Sequence, residues 1–270
     1  MMKDGFLSVI ITILFNNRLE KYKYYIEYAR KNGYQVLSLE NFYRLKDKRE
    51  GRHFVLRHDV DHLGLCTRKM FEVEKEMGVI STYYFRFSTI DKEIIQEMLN
   101  AGFSVGLHFE TIADYAREHH IKNKNEIDMK LMKQLLKGEV QRFEDMIGQK
   151  IYSCCSHGAL ENALLGISNN AITEKADMSV FGLEFEAYDK ELYEFVDCHI
   201  MDGSLIRNFG FSYADTPITA IDDKKSNIVF LSHPNHWYRS GKQRIRQLGA
   251  IALGFGRFKA SEQLFKRIEE

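Results

Sequence analysis

The residues of this chain best suited to chemistry stand together in Phe54-Val55-Leu56-Arg57-His58-Asp59-Val60-Asp61-His62, an apolar run that breaks into charge. A buried strand ending this way must direct its charged groups to water, to a cation or to a substrate, because burying them unpaired is too costly. The two-residue period of a strand puts Val55, Arg57, Asp59 and Asp61 on one side and Leu56, His58 and Val60 on the other, so the two carboxylates converge. Carboxylates that close do not both stay free: either one binds a cation while the other serves as a base, or Arg57 neutralises the pair. The competing structural role is a helix cap. Leu65, Cys66, Met70, Val73 and Met77 follow at helical spacing, and Asp59 or Asp61 is a suitable N-cap for that helix.

Polar groups recur at the ends of other strand-like runs. His108 and Glu110 follow the run from Phe103 to Phe109, His157 follows Ile151 to Ser156, and Asp202 follows Phe195 to Met201. His233-Pro234-Asn235-His236-Trp237 follows Asn227 to Ser232. In a closed parallel barrel the carboxyl ends of the strands share one rim, and core packing gives no reason to place acids and histidines at five of them. Imidazoles with one carboxylate make a zinc-type site that keeps a position for water. His53, His58, His62, His119, His120 and His199 read as surface or core residues. Trp237 and Tyr238 offer an aromatic stacking wall, with packing as the alternative. Arg57 and Arg207 either orient a base or hold an anionic substrate group, with a surface ion pair as the alternative.

The elements that position these groups alternate. Helices are expected over Leu19 to Asn32, Leu65 to Met77, Asp91 to Asn100 and Asp128 to Ile147, and in the tail from Gln243 to Glu270. The Asp128 helix carries Met129, Met132, Leu135, Leu136, Val140, Phe143 and Ile147 on one face. Strands are expected at Phe6 to Phe15, Gln35 to Leu39, Phe54 to Asp61, Ile80 to Phe87, Phe103 to Phe109, Ile151 to Ser156, Ser179 to Leu183, Phe195 to Met201 and Asn227 to Ser232. Strand followed by helix, repeated, implies an α/β fold with a parallel sheet.

Bulk properties agree with this. The length of 270 residues suits one barrel domain over 1–270, and 44% hydrophobic residues supply a core. Only two prolines and no low-complexity tract argue against a linker. Lysine plus arginine equals aspartate plus glutamate at 38 each, so no global field favours nucleic acid or an anionic membrane. The run from Phe6 to Phe15 is too short to span a bilayer and lacks a small-residue cleavage site, so a cytoplasmic protein is expected. Four cysteines include the neighbours Cys154 and Cys155, which bridge poorly, and reduced thiols are the simplest account.

With those residues in place, the stretch from about Phe54 to Trp237 resembles the polysaccharide deacetylases of carbohydrate esterase family 4, in particular the branch met in bacterial surface-polysaccharide gene clusters. Arg57-His58-Asp59-Val60-Asp61 takes the place of the first family motif, Ser81-Thr82-Tyr83-Tyr84-Phe85 looks like the second barrel strand, Gly106-Leu107-His108 resembles the second motif, and Leu231-Ser232-His233-Pro234 with Trp237 is similar to the last. The resemblance implies a distorted, incomplete (β/α) barrel that removes the acetyl group from an N-acetylated sugar, in lipopolysaccharide O-antigen or capsule synthesis, with a divalent metal, most simply zinc. It further implies Asp59 as base, His233 as general acid, and Asp61 and His108 as metal ligands, with Arg57, Glu110, Asp202 and Trp237 toward the substrate. The family's second motif has a histidine four residues after the first, where this chain has Ile112. His157 is the candidate third ligand and Glu110 the fallback.

Two other classes stand beside this one. A nucleotide-sugar glycosyltransferase would use Asp59-Val60-Asp61 for its metal but leaves His108, His157 and His233 without a role. A catalytically inactive relative in a glycan assembly pathway fits the missing histidine.

Overall fold

The structure is a computed structural model that describes residues 18–62, 64–203, 211–212 and 216–238. The expected strand Phe6 to Phe15, the tail helix from Gln243 and Arg207 lie outside the described residues.

Among the described residues the first elements are helix α1 (Leu19–Lys31), strand β1 (Gln35–Ser38), the short helix α2 (Leu39–Tyr43), β2 (His53–Val60) and α3 (Leu65–Met77). It continues with β3 (Thr82–Phe85), α4 (Lys92–Asn100), β4 (Ser104–Phe109), α5 (Thr111–Glu118), α6 (Met129–Ile147), β5 (Ser153–Ser156) and α7 (Leu160–Leu165). The remainder is β6 (Phe185–Glu186), α8 (Lys190–Tyr193), β7 (Cys198–Asp202), β8 (Phe211–Ser212), α9 (Pro217–Asp222), β9 (Asn227–Ser232) and α10 (Pro234–Trp237). The strands form one sheet in the order β6-β5-β4-β3-β2-β9-β7-β8, curled into an incomplete (β/α) barrel. Pairing is parallel except between β7 and β8.

β2 is the axis of the sheet. Its His53–His58 segment pairs with β9 on one side. On the other side β1 takes residues 53–56 and β3 takes Arg57–Val60, so two strands share one flank. Alternation along β2 is as the two-residue period requires. Val55 packs in an inner cluster with Tyr84, Cys155, Phe185 and Val229, while Phe54 and Leu56 pack outward with Tyr22, Met70 and Val73 of α1 and α3. A third cluster fills the space between β3 to β5 and helices α4 to α6. Burying these apolar side chains drives the layers together at about 25 cal/mol per Å2.

Several local expectations change. Neither Asp59 nor Asp61 caps α3: the N-cap is Gly64, at φ 140°, and no side chain bonds that helix end. The region Ser179 to Leu183 is not a strand, because Asp177 caps a 3-10 turn over Met178–Phe181 and pairing starts only at Phe185. Leu135 departs from the α6 core face, being 36% exposed while Met132, Leu136, Val140, Phe143 and Ile147 are buried. Asp91 and Asp128 cap α4 and α6 through their side chains. Ser38 starts α2 by accepting from the Asn41 amide, which ends β1 one residue before Leu39.

Candidate active site

At the carboxyl ends of β2, β4, β5, β7 and β9 the fold brings together every acid and histidine that the strand-end pattern singled out. Asp59 ends the inner row of β2, held by Arg57 two residues before it: Nε donates to Oδ1 at 3.1 Å and Nη2 to Oδ2 at 2.9 Å. Arg57 is fully buried, with its guanidinium 4.1 Å from the Tyr188 ring centroid, and it also donates to the Ala187 carbonyl. It is therefore not a surface ion pair. Burial by itself would raise the Asp59 pKa, but Arg57, with His108 and His233, outweighs it and holds the carboxyl below its ordinary range. Cys155 adds a thiol 3.7 Å from Asp59 Oδ2, and burial pushes that thiol's pKa well up.

Asp61 lies one residue past the end of β2, facing two imidazoles. His108 Nε2 and His157 Nε2 each stand 3.5 Å from its Oδ1, an oxygen that is buried and accepts no hydrogen bond. One ligand atom from each of Asp61, His108 and His157 lies within 4.8 Å of the others. Both rings are turned by their outer nitrogens. His108 Nδ1 is 3.0 Å from the Cys155 carbonyl and His157 Nδ1 is 2.9 Å from Glu110 Oε1. A carbonyl and a carboxylate only accept, so each Nδ1 carries a proton, and in the neutral ring each Nε2 then offers its lone pair toward Asp61. This is how protein metal ligands are usually oriented, and the donor set fits a zinc-type cation. Glu110 is thus the support of His157. Arg86 fixes Glu110 in turn, through Nε at 2.8 Å and Nη2 at 2.7 Å from Oε2. Burial opposes ionisation of Glu110, and its bonds to His157 and Arg86 hold its pKa low nonetheless.

His233 follows β9 and presents Nε2 to Asp61 Oδ2 at 3.7 Å, while its Nδ1 donates to Asp202 Oδ1 at 2.6 Å. Burial would lower its pKa, but the Asp202 carboxylate, helped by Asp61 and Asp59, raises it to about 9, so the ring is an imidazolium at neutral pH. Asp202 is 2% exposed and saturated: Oδ2 also accepts from the His233 amide at 2.9 Å and from Trp237 Nε1 at 2.7 Å. His236 Nδ1 is 3.2 Å from the same Oδ1. The Trp237 ring is fully buried among Tyr22, Tyr25 and Phe230, with no face left for a sugar, and it braces Asp202 from below.

Of the remaining histidines, His53 and His58 are buried core residues, bonded to Asn227 and to Glu74 with Ser232. His119 and His120 are exposed. Ile112 is fully buried, so the position four residues after His108 faces the core behind α5. Two participants were not singled out from sequence: Arg86 and Cys155. Arg86 had a signal, since it closes the apolar run Ile80 to Phe85 as Arg57 closes Phe54 to Leu56.

No known family profile and no curated protein matches the chain. Among solved structures it is similar to a CE4 family pseudoenzyme from Bacillus anthracis at 13% identity and a TM-score of 0.40, over 79% of this chain and 62% of that one. A mutant of a CE4 family pseudoenzyme with restored enzymatic activity is similar at 12% identity and a TM-score of 0.40, over 79% and 64%. The chain thus spans less than two thirds of the length of both. The fold reading stands on the sheet itself.

Proposed function

We propose that the protein is a metal-dependent amide hydrolase that removes the acetyl group from an N-acetylated sugar, with surface polysaccharide as the source of that sugar. The observation that carries this reading is Asp61 Oδ1, a buried acceptor without a hydrogen bond, faced by two imidazoles whose outer nitrogens are already engaged. Asp61, His108 and His157 would hold the cation, most simply zinc. When bound, it supplies Lewis acidity and lowers the pKa of a water. Asp59 takes a proton from the attacking water, and Arg57 keeps that carboxylate ionised and aimed. His233, protonated and oriented by Asp202, delivers a proton to the departing amine nitrogen. A neutral imidazole has no such proton to give, so the raised pKa of His233 suits the role. The glycosyltransferase alternative has no use for three histidines gathered about one aspartate.

A second reading, a site that binds metal without turnover, is favoured by one observation: both oxygens of Asp59 are already engaged by Arg57. One experiment separates the two. Protein purified without chelator is assayed for bound metal and for acetate release from N-acetylated oligosaccharides, beside Asp59→Asn. The hydrolase reading expects turnover to fall by about 10²–10⁴-fold in the variant with metal content unchanged. Metal binding with no acetate release from the wild type establishes the second reading instead.

A further inference from the structure

Asp202, His233 and His236 repeat the composition of the metal cluster, one carboxylate and two imidazoles, with one ligand atom from each within 4.8 Å of the others. The local sequence builds this set. In His233-Pro234-Asn235-His236 the His236 amide donates to the His233 carbonyl at 2.8 Å, and that single turn brings both rings to Asp202, their centroids 4.9 Å apart. Their Nδ1 atoms stand 2.6 and 3.2 Å from the same oxygen, Oδ1. Ligands placed tetrahedrally at about 2.0–2.1 Å from a zinc ion lie about 3.3 Å from one another, so His236 is already at ligand spacing and His233 needs to open by about 0.7 Å.

The surroundings suit a cation. Asp202 Oδ2 is held by the His233 amide and by Trp237 Nε1, so the carboxylate stays aimed when Oδ1 changes partner. Among the described residues the ion pairs of Asp202 are with these two imidazoles, and no lysine or arginine pairs with it. Asp59, His108 and Cys155 also have ligand spacing, but there Arg57 occupies both carboxylate oxygens and would repel a cation. The His233 and His236 side chains stay 15% and 11% exposed, which leaves an approach from solvent. A cation entering here must displace the proton on His233 Nδ1, whereas Asp61 Oδ1 accepts no hydrogen bond, so this set fills after the metal cluster. We propose that Asp202, His233 and His236 bind a second divalent cation of the zinc type, more weakly than the first is bound. With its Nδ1 on a cation, His233 is a neutral ring and a far poorer acid than an imidazolium, so excess metal shuts the site off. The cation site stands on its own ligands; the shut-off rests on the hydrolase reading above.

The test counts metal apart from turnover. Metal-free full-length protein is titrated with zinc against a chromophoric chelator, while nitrogen NMR follows the imidazole Nδ1 signals. The wild type should take two equivalents, the second moving the signals of His233 and His236. Asp61→Ala combined with His157→Ala should keep the weaker equivalent, and both His236→Ala and His236→Asn should keep the tighter one. A wild type that saturates at one equivalent, His236 variants that take two or none, or a second equivalent that leaves both Nδ1 signals in place overturns the proposal. A weaker equivalent lost with His236, in a protein that releases no acetate, supports the cation site and refutes turnover. Where acetate is released, zinc beyond one equivalent should lower kcat by about 10²-fold or more in the wild type and not in His236→Ala. Equal inhibition of the two refutes the shut-off and leaves the hydrolase reading standing.

Discussion

His157 and Glu110 compete in the sequence for the place of a third metal ligand; in the fold they are successive links of one chain of contacts. Glu110 accepts from His157 Nδ1, leaving His157 Nε2 to face Asp61, and is anchored by Arg86. The consequence is a graded response to mutation. His157→Ala should abolish tight metal binding. Glu110→Gln should weaken it by about 10–100-fold, because it loosens a ring rather than deleting a donor. Titration with a competing chelator measures both. If Glu110→Gln loses metal as completely as His157→Ala, the carboxylate is itself a ligand.

Among the elements, β4 places its residues under the tightest constraint. A Cβ on Gly106 would lie 2.5 Å from Tyr84 Cε1 and 2.6 Å from the Ser153 carbonyl oxygen, so the strand approaches its neighbours as only glycine allows. Because His108 follows two residues later on the same face, Gly106→Ala is expected to cost about 1–3 kcal/mol and to weaken metal binding as well. An unchanged urea midpoint would contradict the packing described. The long helix α6 carries a pH response. Burial pushes Glu139 up to about 7, against the opposing hydrogen bond from the Thr111 hydroxyl at 2.6 Å. Its pKa is raised on folding, so the native state binds the proton more tightly than the unfolded chain. The stability this contributes is complete below the unfolded value of about 4.3 and is lost as pH rises through about 7. Glu139→Gln should therefore match the wild type near pH 4 and exceed it by about 1–3 kcal/mol at pH 8. Thermal melts across that range check the divergence, and parallel curves would refute it.

Across the whole molecule, one buried carboxylate ties the layers together beneath the site. Glu74 of α3, fully buried, accepts from Tyr22 of α1 at 2.5 Å, Tyr83 of β3 at 2.6 Å and Ser81 at 2.8 Å, and pairs with His58 of β2 at 2.8 Å. His58 continues to Ser232 of β9, so the network underlies the two strands that end in Asp59 and His233. Burial works against the charge, but His58 with the Tyr22 and Tyr83 hydroxyls keeps the Glu74 pKa low. Glu74→Leu strands four polar partners at once and is expected to cost about 3–5 kcal/mol in urea unfolding. A loss below about 1 kcal/mol would show that the partners find other bonds.

Local chemistry was legible in the sequence. The two-residue period of β2 separated inward Arg57 and Asp59 from outward His58, and the polar strand ends marked the rim. These features depend on neighbours in the chain, whose geometry repeats wherever the element occurs. What the tertiary structure decided was every relation between distant segments. Arg57 turned inward to Asp59 and Tyr188, Trp237 packed into the core and donated to Asp202, and Glu110 came to accept from His157. In each case the outcome depends on which side chain from another strand reaches a group first, and hydrophobic periodicity carries no information about that.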